Sequence, residues 1–179
     1  VKDVTFGIKK YTYRANVVLN GTAANWRFVS DGTITPSTTT NIRSSLADNV
    51  VNPASSTMYL EATLNNLNGQ NSTPTFTIGS SFGLGAVEPD GDAMSYSLVP
   101  AMTNLAGTTF LNYQGGYSAV NPLNVTPGSF TFSAVSGVAE FIPAAAPWEG
   151  IVVNRVTETR NGVVVGTAMR EMMFVFISN

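Results

Sequence analysis

The chain has 179 residues, with 9 Lys+Arg, 11 Asp+Glu and a net charge of -2 at pH 7. It contains no Cys and no His, which excludes disulfides, thiol nucleophiles, Ser-His-Asp triads and the Cys- and His-ligated metal sites. The nine basic residues are scattered along the chain and form no basic cluster of the kind that binds nucleic acid. No apolar run reaches the roughly 18 residues of a membrane span. We therefore expect neither nucleic-acid binding nor membrane insertion.

The rest of the composition points to the outside of a cell. Thr, Ser and Asn are abundant, so uncharged polar groups take the place of charge on the surface. A chain that lacks Cys and is poor in Lys is typical of an exported bacterial protein. The first residue is Val1, and no signal segment follows it, so we expect a processed or excised piece of a longer protein.

Alternating apolar and polar residues, the strand pattern, dominate the segment 1–70. The residues between 33 and 56 are rich in Thr, Ser and Asn, and a short helix is predicted from Asn41 to Val51. A polar, Asn-rich stretch at 65–71, closed by Pro74, predicts a linker. Strands are predicted at 4–8, 11–17, 26–29 and 58–64, with turns at Asn20-Gly21 and Asp31-Gly32.

Short strands recur about every ten residues beyond the linker. Asn161-Gly162 stands between two Val-rich runs and predicts a β-hairpin. The fold class is therefore all-β: an Ig/cadherin-like β-sandwich over 71–179, preceded by a second, small antiparallel β module over 1–70. The strands of the sandwich are predicted at 75–78, 94–99, 109–113, 129–133, 138–142, 150–158, 162–167 and 171–177.

The densest acidic cluster is the loop Glu88-Pro89-Asp90-Gly91-Asp92. Three carboxylates so close in sequence offer the hard oxygen ligands that calcium prefers, although the spacing is not that of an EF-hand. Pro-Asp-Gly is also a common turn, in which Asp hydrogen-bonds to the backbone. A calcium site formed by Glu88, Asp90 and Asp92 and a simple turn are both open at this point.

The run from Glu88 to Leu98 resembles the D-P-D-G-D-x-L-x-Y-S-L signature of cadherin-like and PKD-like modules in bacterial surface proteins. Three further segments, at 59–76, 113–123 and 156–174, are similar to repeats of Bacteroidota surface proteins and occur in the same order. The matches span the segment 58–177. The chain thus resembles the large, type IX-secreted cell-surface proteins associated with gliding and adhesion.

This resemblance implies an extracellular structural or adhesive module at the cell surface, with no catalytic activity. Its partners would be neighbouring domains or identical subunits. The resemblance also carries the calcium interpretation onto Asp90 and Asp92, with Glu88 where the family usually has Asp. The family commonly has a Cys pair in its first half, whereas this chain has Thr38 to Arg43 there, so the segment 1–57 matches it only weakly.

Charged residues near the end of the chain allow two interpretations. If the chain turns at Asn161-Gly162, Glu158 and Arg160 lie on one face and can meet Arg170 or Glu171. Glu158 would then add an oxygen to the calcium site or hold the domain interface. Otherwise it forms a cross-strand ion pair or part of a solvated face, either of which contributes little energetically.

Aromatic side chains provide the second possible binding surface. Tyr113, Tyr117 and Trp148 are predicted to contact a surface glycan or a partner if they are exposed, or to fill the core, as most aromatic residues of β-sandwiches do. A carbohydrate-binding sandwich is therefore an alternative function. The apolar strand Phe174–Ile177 is either buried or exchanged with a second subunit. A self-assembling filament or capsid-type subunit is therefore a further alternative function.

An acid/base enzyme is not expected. A glycosidase needs two carboxylates about 5–10 Å apart in a cleft, and the spacing of the glutamates singles out no pair. We therefore predict a non-catalytic protein.

Overall fold

The computed structural model is all-β, and every strand pair in it is antiparallel. No helix occurs in the part of the chain that it describes, so none there is long and apolar enough to cross a membrane. The described residues are 2–3, 8–9, 16–19, 21, 23, 26–31, 47–51, 58–64, 77–78, 86–88 and 91–176.

Among the described residues, the strands form one five-stranded sheet and three two-stranded pairs. The pairs are β1 (Lys2–Asp3) with β2 (Ile8–Lys9), β5 (Thr77–Ile78) with β6 (Ala86–Val87), and β8 (Thr131–Phe132) with β9 (Ala139–Glu140). The strands of the large sheet are β3 (Trp26–Asp31), β4 (Tyr59–Leu64), β7 (Ala93–Leu98), β10 (Trp148–Arg160) and β11 (Val163–Phe176). Across the large sheet they lie in the order β3-β4-β11-β10-β7.

The centre of the large sheet is the hairpin of β10 and β11, which have 13 and 14 residues. Its turn is the predicted one: Asn161 has a φ of 51° and Gly162 a φ of 80°. Asn and Gly are the residues that tolerate two successive positive φ angles, as a two-residue hairpin turn requires. The prediction of a β-hairpin at this position is confirmed.

Several predicted strands differ from the observed ones. The two predicted at 162–167 and 171–177 are a single strand, β11, because Gly166 and Arg170 both pair with β10 and the register shift next to Gly166 does not end the pairing. The strand predicted at 109–113 is wrong: Phe110 and Tyr113 form only isolated bridges, to Met102 and Val50. Of the predicted helix, residues 47–51 form a turn and a bridge, while 41–46 lie outside the described residues.

The predicted boundary near residue 70 does not divide the large sheet. Strands β3 and β4, which precede that boundary, lie in the same sheet as β7, β10 and β11. The connection is the pairing of β4 with β11, in which Leu64 faces Gly166 and Ala62 faces Ala168. The predicted linker at 65–71 and the strand predicted at 11–17, apart from residues 16 and 17, lie outside the described residues.

Both faces of the central hairpin are covered. Ile151, Val152 and Val153 are consecutive and each is at most 2% exposed, although neighbouring strand residues point to opposite faces. Ile151 and Val153 pack with Met102, while Val152 packs with Trp148 on the other face. Burial on both faces explains why these three positions form a continuous apolar run and do not alternate with polar residues.

Candidate functional site

Three carboxylates meet beside the turn end of the central hairpin. Glu88 follows β6, Asp92 immediately precedes β7, and Glu158 lies on β10. The pairing of β10 with β7 brings Glu158 opposite Met94, two positions after Asp92. One carboxylate oxygen from each of the three residues lies within 4.8 Å of the others. We call these three residues the carboxylate cluster.

Hydrogen bonds hold the loop in this arrangement. The Oε2 of Glu88 accepts the backbone N–H of Asp92 at 2.7 Å, which closes the loop. The Nε of Arg160 donates to both carboxylate oxygens of Asp92, at 2.8 and 2.9 Å, and its Nη2 donates to the same group. Arg160 is the last residue of β10, so this ion pair joins the loop to the tip of the hairpin.

Glu158 is the buried member of the cluster, with 5% of its surface exposed. Burial raises the pKa of Glu158 to about 7, and a hydrogen bond with Asp92 and the negative charges of Asp92 and Glu88 add to this effect, which Arg160 opposes. The hydrogen bonds from Arg160 hold the pKa of Asp92 below its usual value. At neutral pH, Glu158 therefore carries a proton for part of the time and donates it to the Asp92 carboxylate.

The cluster combines predicted and unpredicted contacts. Glu88 and Asp92 meet as the sequence indicates, while Asp90 lies outside the described residues. Glu158 lies with these carboxylates, and Arg160 pairs with Asp92 rather than with Glu171. The register shows why: Glu158 faces Gly166, whereas Arg170 and Glu171 lie further along β11, opposite Asn154 and Val153.

The three aromatic candidates have different environments. Trp148 lies in the core rather than on the surface: it is 5% exposed, and its ring packs on Phe176 with centroids 5.0 Å apart. Tyr113 is half-buried against the core cluster that contains Val50. Tyr117 is also half-buried, and its ring contacts that of Trp148 at 5.9 Å. Of the three, only Tyr117 lines a pocket described below.

A pocket of about 560 Å³ lies in the segment between 115 and 130. Its polar lining includes Tyr117, Asn121 and Asn124, and its apolar lining includes Val120 and Pro127. The two asparagines were not predicted as site residues. The Gly115-Gly116 pair signals a turn, but no residue spacing in this segment predicts a cavity.

Comparison of the chain with protein-family models, with curated proteins and with solved structures found no match.

Proposed function

We propose that the chain is a non-catalytic structural or adhesive module of an extracellular bacterial surface protein, stabilised by calcium at the carboxylate cluster. In this proposal the fold is an Ig/cadherin-like sandwich, and its partners are neighbouring domains or identical subunits. The observation that carries the proposal is the convergence of Glu88, Asp92 and Glu158, whose carboxylate oxygens lie within 4.8 Å of one another.

The donors suit a hard divalent cation. Calcium binds carboxylate oxygens, often on irregular loops, and takes about six to eight ligands, the remainder of which come from backbone carbonyls and water. Asp90 lies between Glu88 and Asp92 in the sequence and is proposed as a further donor. Each carboxylate oxygen has two lone pairs, so Asp92 can keep its hydrogen bonds to Arg160 and still contact a cation.

The charge balance supports the same conclusion. Three carboxylates face one guanidinium, and the raised pKa of Glu158 reflects the cost of ionising a third carboxylate there. A divalent cation would compensate that charge and displace the shared proton. Clusters of groups with shifted pKa values occur often at functional sites.

The central hairpin supports a structural role. Its 13-residue strand β10 extends about 44 Å at roughly 3.4 Å per residue and is paired with β11 along its whole length. The carboxylate cluster joins the β6–β7 loop to the turn end of this hairpin. A cation bound there would fasten the loop to the central element of the fold, because binding only to the folded state stabilises that state.

Calorimetric unfolding in EDTA and in millimolar calcium tests the proposal. We expect calcium to raise the midpoint of the native chain, and Glu158→Gln and Asp92→Asn to abolish that rise. Glu140→Gln is the matched control, because Glu140 is exposed on β9 and lies outside the cluster. This variant should respond to calcium as the native chain does.

Two outcomes would contradict the calcium site: an unchanged midpoint of the native chain in calcium, or an equal rise in the Glu158→Gln variant. Magnesium at the same concentration distinguishes the expected site from general screening of negative charge. A site built from flexible carboxylates favours calcium, since magnesium requires near-ideal octahedral geometry and releases its water reluctantly.

A further inference from the structure

The pocket in the segment between 115 and 130 has the properties of a small-molecule site. Its volume of about 560 Å³ lies within the range usual for such sites, roughly 300–1,000 Å³. Its described lining residues include no Asp, Glu, Lys or Arg. A charged ligand would therefore find no ionic partner in it, and the expected ligand is neutral.

The polar groups of the pocket are amides and a phenol. Asn124 makes no side-chain hydrogen bond with the rest of the described chain, so its amide can both donate and accept. Asn121 uses its Nδ2 to bind the carbonyl of Gly116 at 3.2 Å, which leaves its Oδ1 to accept. Groups that donate and accept in this way match the hydroxyls of a sugar, which do the same.

The remaining lining is apolar and partly aromatic. Val120, which is 67% exposed, and Pro127 offer carbon surface, and Tyr117 adds a ring. This ring contacts the buried ring of Trp148, at a centroid distance of 5.9 Å and an interplanar angle of 34°. A pyranose carries C–H groups on one face and hydroxyls on its rim, and thus needs apolar and amide groups side by side.

We propose that this pocket binds a neutral saccharide, with Asn121 and Asn124 bonding its hydroxyls and Tyr117 contacting its ring. The site is separate from the carboxylate cluster and does not depend on calcium. It also differs from the three-aromatic surface expected from the sequence, because Trp148 is buried in the core and contacts the Tyr117 ring.

Local hydrogen bonds fix the backbone at two lining positions of the pocket. The backbone N–H of Asn121 donates to the Ser118 side chain at 3.1 Å, and the N–H of Tyr117 donates to the carbonyl of Gln114 at 3.0 Å. These local bonds fix the backbone from which the two side chains extend. A backbone that is fixed before binding avoids part of the entropy cost of ordering on binding.

Saturation-transfer NMR and titration calorimetry test this proposal with the methyl glycosides of glucose, galactose, mannose and N-acetylglucosamine, and with their linear oligosaccharides. We expect at least one to bind the native chain. Asn124→Ala should weaken that binding about tenfold, the scale of one or two lost hydrogen bonds. Asn112→Ala, which removes an exposed amide outside the pocket, should bind normally.

A second variant adds bulk to the pocket lining at a position where a side chain causes no backbone strain. A Cβ on Gly115 would meet no heavy atom within 4 Å, and Gly115 has no positive φ, so Gly115→Leu adds a side chain to a lining position without strain. We expect it to unfold at the native midpoint and to lose saccharide binding. The proposal is overturned if none of these saccharides binds at millimolar concentration, or if a folded Gly115→Leu variant binds as well as the native chain.

Discussion

The side chain of Asn49 hydrogen-bonds to both backbone groups of Ile151, which lies far along the chain. Its Oδ1 accepts the N–H of Ile151 at 2.9 Å, and its Nδ2 donates to the carbonyl of Ile151 at 2.8 Å. The same Nδ2 donates to the carbonyl of Pro122 at 2.9 Å. Asn49 thus pairs with β10 as a strand residue would, beyond the point where β7 ends, and it is fully buried.

We expect Asn49→Ala to lower the free energy of unfolding by about 3 kcal/mol, because it leaves the buried backbone groups of Ile151 without partners. Asn49→Asp should be at least as damaging, since it removes the donor to two carbonyls and introduces a buried carboxyl. Urea unfolding measures both. The exposed Asn112→Ala should stay within about 0.5 kcal/mol of the native chain, and a similar small loss for Asn49→Ala would contradict the assignment.

Glu158 predicts a specific pH dependence of stability in EDTA. Its pKa rises from 4.5 in the unfolded chain to about 7 in the fold, so between these values the folded state holds a proton that the unfolded state has released. The contribution of Glu158 to stability is therefore complete below pH 4.5 and is lost as the pH rises to about 7. The free energy of unfolding should decline across this window.

Glu158→Gln is neutral at every pH and should remove this decline. At about pH 8 we expect the free energy of unfolding of the variant to exceed that of the native chain by roughly 1 kcal/mol, after allowance for screening by solvent. Urea unfolding between about pH 5 and pH 8 provides the comparison, with Glu140→Gln as the control for an exposed glutamate. If the native and Glu158→Gln curves run parallel, the raised pKa is refuted.

Arg160 is expected to control the titration of the whole cluster. Its hydrogen bonds lower the pKa of Asp92, and its charge partly offsets the rise in the pKa of Glu158. In Arg160→Gln, both pKa values should therefore move upward. Carboxyl ¹³C NMR titration measures the two groups separately.

Arg160→Lys distinguishes charge from geometry. Lysine keeps the positive charge but lacks the planar fork that reaches both oxygens of Asp92. We expect the pKa values of Asp92 and Glu158 in Arg160→Lys to lie between those of the native chain and those of Arg160→Gln. An unchanged titration of Asp92 in Arg160→Gln would show that the ion pair does not form in solution.

Two glycines form a matched pair for a packing test. Gly137 has a φ of 70° and Gly128 a φ of 78°, so alanine is strained at both positions. A Cβ at Gly137 would lie 2.8 Å from Cδ1 of Tyr96, a core residue, whereas one at Gly128 would meet nothing within 4 Å. Gly128→Ala should lower the free energy of unfolding by about 1 kcal/mol, and Gly137→Ala should lower it by about 2 kcal/mol more. Equal losses in urea unfolding would mean that the Tyr96 ring moves aside freely.

Local patterns predicted the elements whose cause is local. Asn161-Gly162 specifies a hairpin because few other residue pairs adopt two positive φ angles, and this turn then aligns the Val-rich runs on either side. Alternation likewise predicted β3 and β4. It did not predict the length of β11, since a glycine or a charged residue within a strand pattern does not show whether pairing continues. Gly166 pairs with both Glu158 and Leu64, so β11 continues through it although the register with β10 shifts beside it.

The carboxylate cluster was predictable in part. Glu88 and Asp92 are close in sequence, and the hydrogen bond between them is a local event. Arg160 and Glu158 join them only because β10 pairs with β7, and the sequence was equally compatible with contacts to Arg170 or Glu171. Register decides between these partners, and it depends on how the whole hairpin packs.

The sequence by itself determined the all-β class, the central turn and the acidic loop, because alternation, turn chemistry and short-range hydrogen bonds act between neighbours in the chain. Only the tertiary structure decided that strands on both sides of residue 70 share one sheet, that Trp148 is buried and that Glu158 meets Asp92. Each of these joins residues far apart in the chain. Such contacts form when the chain buries its apolar strands together, and no short segment specifies its distant partner.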